Sequence, residues 1–374
     1  MRIIIDRNIR GAEATFGQLG ELVPMEGRDI QKNHLDGADL LIIRTATQAN
    51  AELLEGTSVR FVGTTSIGTD HLDIPWLESK GIGLANAPGC NADSASQYTL
   101  AMAWLACQRL GRKLLDSRVG IIGRGNVGSR VQTLLTALGV ETVANDPPLT
   151  DQGVMGLVSQ AEALACDIVC LHVPLTTDGP YPTLHMIGSE QLAQMPEGAL
   201  LLNSARGNVV HGDALLEAMR EGRVHAALDV WPNEPLLDPE LLARSAVATP
   251  HVAGYSDDGK RNGAWMVYEA YCVQAGIEPL TRGEQGQGRS SMTIRNPELA
   301  LNEALETACF VYRHDYALRA LAGLPSGQIA PGFDRLRKEY PYRRDFHGWD
   351  VTCDEQSAAK TLSALGFRLD GAGA

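Results

Sequence analysis

Short apolar runs alternate with longer stretches of helical spacing over most of this chain. RIIID (2–6), LLIIR (40–44), RFVGTTS (60–66) and GIGLANAP (81–88) have the length and apolar continuity of strands buried on both faces, and a helix is expected through Phe16 to Leu22. A long helical pattern from Asn91 to Leu110, with Asp93 or Ser94 as its N-cap, leads into a second series: RVGII (118–122), DIVCLHVP (167–174), GALLLNSA (198–205), AALDVW (226–231) and AVATPH (246–251). Strands separated by helices pair in parallel, so the fold class expected is α/β, with two doubly wound parallel-sheet domains. A helical stretch from Lys260 to Gln274 is placed to return the chain to the first sheet. The domains read as 1–93 with 255–285, and 94–254 inserted between them. TRGEQGQGRSS (281–291) has linker composition. The remainder, 286–374, carries helical patterns over Pro297 to Phe310 and Ala358 to Leu365, and is expected to be a small α+β domain for dimerisation.

The second series opens with one unbroken unit, RVGIIGRGNVGSRVQTLLTALGVETVAND, which reads as strand, glycine turn, helix, strand and acid. Gly123, Gly125 and Gly128 have G-x-G-x-x-G spacing. Gly123 permits the tight turn, Gly125 lets backbone approach a pyrophosphate, and Gly128 lets the helix pack closely on the strand. The helix expected from about Ser129 to Leu138 points its amides and positive dipole end at the phosphates, and Asn126 and Val127 in the turn before it are expected to contact the cofactor. Asp146 lies 18 residues past Gly128, where a carboxylate accepts hydrogen bonds from ribose hydroxyls and repels a 2′-phosphate. The unit therefore predicts a Rossmann-like site for NAD rather than NADP.

Composition narrows the partners. The 374 residues are 44% apolar but only 5% aromatic, and 32 basic against 45 acidic residues give a formal net charge of −13. No nucleic-acid or membrane partner is expected from that balance. The longest apolar run, Leu100 to Cys107, is far too short to cross a bilayer, and Met1 leads directly into a strand pattern, so the expected location is the cytoplasm. Seven cysteines without a C-x-x-C pair suit a reducing compartment, and no His or Cys spacing predicts a metal site.

Three strand ends of the second sheet each deliver one reactive group: Arg206 after LLNSA, Glu234 after LDVWPN and His251 after VATP. Carboxyl ends of parallel strands share one edge, so the three are expected to meet beside the glycine turn. Arg206 suits bidentate binding of a carboxylate, His251 suits removal of a hydroxyl proton, and Glu234 against the other ring nitrogen would stabilise the imidazolium. In the first series Arg44, Thr45 and Ser66 end strands and form a cradle for an anion. The basic run FDRLRKEYPYRRDF (333–346) reads mainly as a solvated face, and for the phosphorylated substrate that the family resemblance below implies, Arg343 or Arg344 is a candidate phosphate ligand beside Arg44.

NSARGNVV, AALDVWPNEP, ATPHVAGY and LHVPLTTDGPYPTLHMIG resemble the signature segments of NAD-dependent D-2-hydroxyacid dehydrogenases over roughly 1–280. The resemblance implies oxidation of a phosphorylated 2-hydroxy acid with Arg206, Glu234 and His251 as the catalytic triad. It implies substrate contacts from Thr45, Ser66 and Tyr255, and NAD contacts from Asp146, Val173, Ser204, Ala205, Arg206, Asp229 and Gly254. It also implies a homodimer formed through the C-terminal domain. Two other readings stay open: a dehydrogenase for another acid, such as 3-phosphoglycerate or glyoxylate, and an NAD-sensing, corepressor-like module without turnover.

Overall fold

A computed structural model of the chain describes residues 1–282 and 288–370. Residues 283–287, inside the stretch read as a linker, and 371–374 lie outside the described residues. The chain divides into two compact units, Met1–Asn91 with Ser256–Gly288, and Ala92–Tyr255 with Arg289–Ala374.

The first unit is built on five strands, β1 (Arg2–Asp6), β2 (Glu21–Met25), β3 (Leu40–Ile43), β4 (Phe61–Thr64) and β5 (Gly83–Ala85). They run parallel in the order β2-β1-β3-β4-β5. β3 and β4 are buried at every position, as strands covered on both faces must be. One expected helix is corrected. The stretch from Phe16 to Leu22 divides between the end of a one-turn helix, Ala12–Phe16, and the start of β2. β2 is an edge strand whose exposed side leaves no continuous apolar run to read, and its Pro24 is tolerated because an edge has a spare donor side. The helix Asp257–Ala275 closes the unit. Ser256 caps it by accepting from the Gly259 amide at 2.8 Å, and Gly276 ends it in the left-handed region at φ 66°.

The second unit holds β6 (Arg118–Ile122), β7 (Glu141–Asn145), β8 (Ile168–Leu171), β9 (Ala199–Asn203), β10 (Val224–Leu228) and β11 (Val247–Ala248). They are parallel in the order β11-β10-β9-β8-β6-β7. The chain reverses its direction of winding between β6 and β8, which opens a crevice at their carboxyl ends. In the same unit β12 (Ser290–Thr293), β13 (Trp349–Thr352) and β14 (Arg368–Leu369) form a small parallel sheet with helices Ala300–Cys309, Val311–Ala320, Ser326–Lys338 and Gln356–Ala364. This sheet shares one apolar core with the larger one. The helix Ala92–Arg109 runs between them and is buried at 13 of its 18 positions. Cys166 and Cys170 are buried, and burial pushes the Cys170 thiol up to about 12, which fits apolar packing groups.

Candidate active site

The crevice between β6 and β8 has the shape the glycine fingerprint requires. Gly123 sits at φ +91°, a conformation side chains disfavour, and its amide donates to the Asn145 carbonyl at 2.8 Å. A Cβ on Gly128 would lie 1.9 Å from the Gly123 carbonyl oxygen, so the helix Asn126–Ala137 packs on its strand at glycine distance. A Cβ on Gly125 would meet nothing within 4 Å, so the space in front of the helix N-terminus is open to a ligand. A cavity of about 480 Å³ continues from there past Asp146 and Val173 to Tyr181, whose hydroxyl donates to Asp151 at 2.9 Å. His172 also lines it, half-buried as a residue but with both ring nitrogens buried and neither bonded to protein, and desolvation carries its pKa down to about 4. Glycine cradle, helix N-terminus and unpartnered buried ring together fit a dinucleotide.

Asp146 stands where the sequence places it, and its carboxylate accepts from the Arg124 amide at 2.7 Å and the Leu149 amide at 3.1 Å. It thereby fixes the glycine turn and caps the following turn of helix, while each oxygen keeps a second lone pair for a ribose hydroxyl.

Parallel register sets Asn203 beside Leu228 and Leu228 beside Ala248, so the loops after β9, β10 and β11 leave from one edge. Arg206, Glu234 and His251 lie on those three loops. The Arg206 turn is held by Asn203, whose Nδ2 donates to the Arg206 carbonyl at 2.9 Å and whose Oδ1 accepts from Ala205 at 3.0 Å. Arg206 itself is exposed, with Nη1 donating to the Ala205 carbonyl at 2.7 Å. His251 Nδ1 makes a short hydrogen bond to Glu234 Oε1, and Glu234 Oε2 accepts from the Trp231 amide at 3.1 Å. With Nδ1 donating to the carboxylate, the neutral ring presents Nε2 as an acceptor. Burial acts most strongly on Glu234 and raises its pKa. The hydrogen bond and charge of His251, the Trp231 amide and Arg337 outweigh it, and the carboxyl lies below its ordinary value.

Other expected contacts are placed less simply. Asp229 is fully buried, and its carboxylate accepts from Thr249 Oγ1 at 2.6 Å, Val252 N at 3.0 Å and Ala253 N at 2.9 Å. It holds the His251 loop. Ser204 shares a 2.7 Å hydrogen bond with Thr99, and Gly254 is half-buried on the His251 loop. Tyr255 packs edge-on against Tyr340 at 5.6 Å. In the first unit Arg44, Thr45 and Ser66 follow β3 and β4 at one sheet edge. Arg44 is engaged by the buried Asp6, through Nε at 2.9 Å and Nη2 at 3.3 Å. Asp6 ends β1 and Arg44 directly follows β3, so this ion pair lies at the strand ends where the first sheet reverses its winding. Arg343 is not on a solvated face and is no phosphate ligand: its side chain is wholly buried and donates to two backbone carbonyls. A basic run offers no sequence signal for that, and the Asp229 clamp likewise carries none beyond an acid at a strand end.

Comparison with known proteins agrees with this architecture. Residues 88–253 match the family described as "D-isomer specific 2-hydroxyacid dehydrogenase, NAD binding domain", and 290–366 match a domain of unknown function. The D-lactate dehydrogenase of Aquifex aeolicus, solved with NAD and lactic acid, is 25% identical with a TM-score of 0.56 and covers 73% of this chain and 96% of its own. The NAD-bound 3-phosphoglycerate dehydrogenase of Entamoeba histolytica shares the fold at a TM-score of 0.61 and 23% identity, covering 74% of this chain and 96% of its own. The chain belongs to the D-isomer-specific 2-hydroxyacid dehydrogenase family, whose cofactor is NAD. Its curated relatives include the erythronate-4-phosphate dehydrogenase of Teredinibacter turnerae, 42% identical over the whole of both chains. The Escherichia coli protein of the same name is 40% identical over 98% of each.

Proposed function

We propose that this protein oxidises 4-phospho-D-erythronate to 2-oxo-3-hydroxy-4-phosphobutanoate in pyridoxal 5′-phosphate biosynthesis. The observation that carries the chemistry is the Glu234–His251 pair, which leaves Nε2 as the acceptor for the C2 hydroxyl proton. As that proton moves to His251, the C2–O bond becomes a carbonyl and Glu234 stabilises the imidazolium. Arg206 binds the substrate carboxylate and fixes the orientation of C2. NAD, when bound, accepts the C2 hydrogen with its electron pair. Gly123, Gly125, Asn126, Val127, Gly128, Asp146, Val173, Ser204, Ala205 and Gly254 form its binding surface, with Asp229 acting through the loop it clamps. Thr45, Ser66 and Tyr255 contact the substrate, and Arg44 contributes through Nη1, the nitrogen of its fork not bonded to Asp6.

In this reading residues 1–93 with 255–285 bind substrate, 94–254 bind NAD, and 286–374 form the contact of a cytoplasmic homodimer. Exposed Leu299, Tyr312 and Tyr316 on the C-terminal segment support such a contact. The deciding experiment follows reduced-nicotinamide absorbance with 4-phosphoerythronate, unphosphorylated erythronate, 3-phosphoglycerate and glyoxylate. The proposal requires the first to be preferred by kcat/KM. Equal turnover of erythronate removes the phosphate from the specificity, preference for another acid reassigns the enzyme, and no turnover of any acid favours an NAD-sensing module. Light scattering reads the dimer.

A further inference from the structure

His251 has φ 56°, the left-handed region, in which a residue with a side chain persists only where its surroundings over-determine it. The β-sheet side of that constraint is Asp229, which receives three donors from residues 249–253, together with the Trp231 indole, which donates to the Thr249 carbonyl at 2.9 Å. A further constraint comes from 90 residues away. Arg343 Nη2 donates to the Ala253 carbonyl at 2.7 Å and to the Ser94 carbonyl at 2.6 Å, which uses both hydrogens of that nitrogen. It joins the loop bearing His251 to the first turn of the helix Ala92–Arg109. The guanidinium lies 5.2 Å over the ring of Tyr98, and Nη1 is 3.6 Å from Asp345 Oδ1. The Tyr98 hydroxyl is in turn bonded to His314 Nδ1 at 2.9 Å, so the C-terminal segment grips this point twice.

We infer that the C-terminal segment 290–366 positions the catalytic loop, and that Arg343 is the residue through which it acts. The inference rests on His251 being the base. A wholly buried cation is costly to keep and serves neither a subunit face nor a substrate from where it lies. What its Nη2 does is fix the carbonyl of Ala253, two residues beyond His251, the residue whose amide Asp229 holds. Arg343 is therefore a positioning residue: it touches neither substrate nor cofactor, and without it the backbone at His251 can relax and carry Nε2 away from the hydroxyl.

The test is steady-state kinetics on the full-length R343K and R343A proteins, with rates expressed per site titrated by NADH fluorescence so that unfolded chains are not counted. A displacement near 1 Å lowers kcat on the order of 100-fold, so R343A is expected to lose about that much, with KM for NAD within about twofold of the parent. R343K keeps the charge but not the reach of Nη2 to both carbonyls and should fall between R343A and the parent, and added guanidinium ion should restore part of the R343A rate. Parent-like kcat in both variants overturns the inference. So does a loss that guanidinium does not relieve and that falls equally on kcat and on KM for NAD, as general loosening would. H251N is run beside them. Parent-like turnover of H251N would remove the base assignment itself, whereas an inactive H251N beside active Arg343 variants would remove only the positioning role.

Discussion

Gly207 packs against the backbone of the loop that carries Glu234, and a single methyl there tests whether the spacing of the candidate triad's loops governs catalysis. It follows Arg206 directly, and a Cβ at this position would lie 2.0 Å from the Trp231 carbonyl oxygen, 2.2 Å from its carbon and 2.8 Å from Pro232 N. All three are backbone atoms, so no side-chain rotation relieves the clash. Cβ contacts below 3.0 Å are essentially never found, and the Arg206 turn must therefore part from the Trp231–Pro232 backbone by about 1 Å. Trp231 anchors Glu234 through its amide and the His251 loop through its indole, so the displacement separates Arg206 from the acid–base pair. Overpacking of this kind costs about 1–3 kcal/mol of stability. Misplacement by 1 Å costs about 100-fold in kcat/KM. G207A should show both, read as a lowered Tm and as initial rates of NADH formation. G212A is the control: its methyl meets only the Pro232 Cβ and Cγ at 3.1 Å, which can yield by a few tenths of an ångström. A G207A protein with kcat/KM within about threefold of the parent would refute the view that the spacing of these loops limits the reaction.

Two glycines of the fingerprint should separate folding from binding: G128A places a methyl 1.9 Å from a carbonyl oxygen and should unfold at lower temperature, whereas G125A meets open space and should keep the parent Tm while NAD binding, followed by calorimetry, is lost. Equal effects on stability would contradict that division. H251A should lower kcat by roughly two to four orders of magnitude, and an effect below about tenfold rejects the general base. His172 is held neutral, its pKa moved by burial from 6.5 to about 4. The unfolded chain takes up this proton first, so the stability His172 leaves intact above 6.5 is lost as pH falls from there toward 4, by about 2 kcal/mol at about pH 5. H172Q should therefore lose less stability than the parent between neutral pH and about pH 5 in denaturant titrations, and parallel losses would count against the assignment.

The strand runs and the glycine spacing are legible in the sequence because they are local: each follows from a few neighbouring residues. β2 is not, since an edge strand needs no continuous apolar pattern and its partner is chosen by the sheet. Arg206, Glu234 and His251 are legible as strand-end residues because parallel topology sends such ends to one edge. The support beneath them is not. The sequence does not show that Asp229 clamps the His251 loop, that Asp6 holds two nitrogens of Arg44, or that Arg343, in a basic run, is wholly buried. Each of these depends on a partner many positions away, which periodicity does not report.

The burial of the helix Ala92–Arg109 has a consequence for the chain as an object to be cut or fused. The D-lactate dehydrogenase of Aquifex aeolicus, which shares the fold, covers 73% of this chain. Here the helix's outer face, including Ala101, Trp104 and Leu105, is matched to Ala304, Leu305 and Val311. A fragment ending at Gly288 would bare that stripe to water and self-associate, so the coenzyme-binding half of this molecule is not a module that can be lifted out by itself.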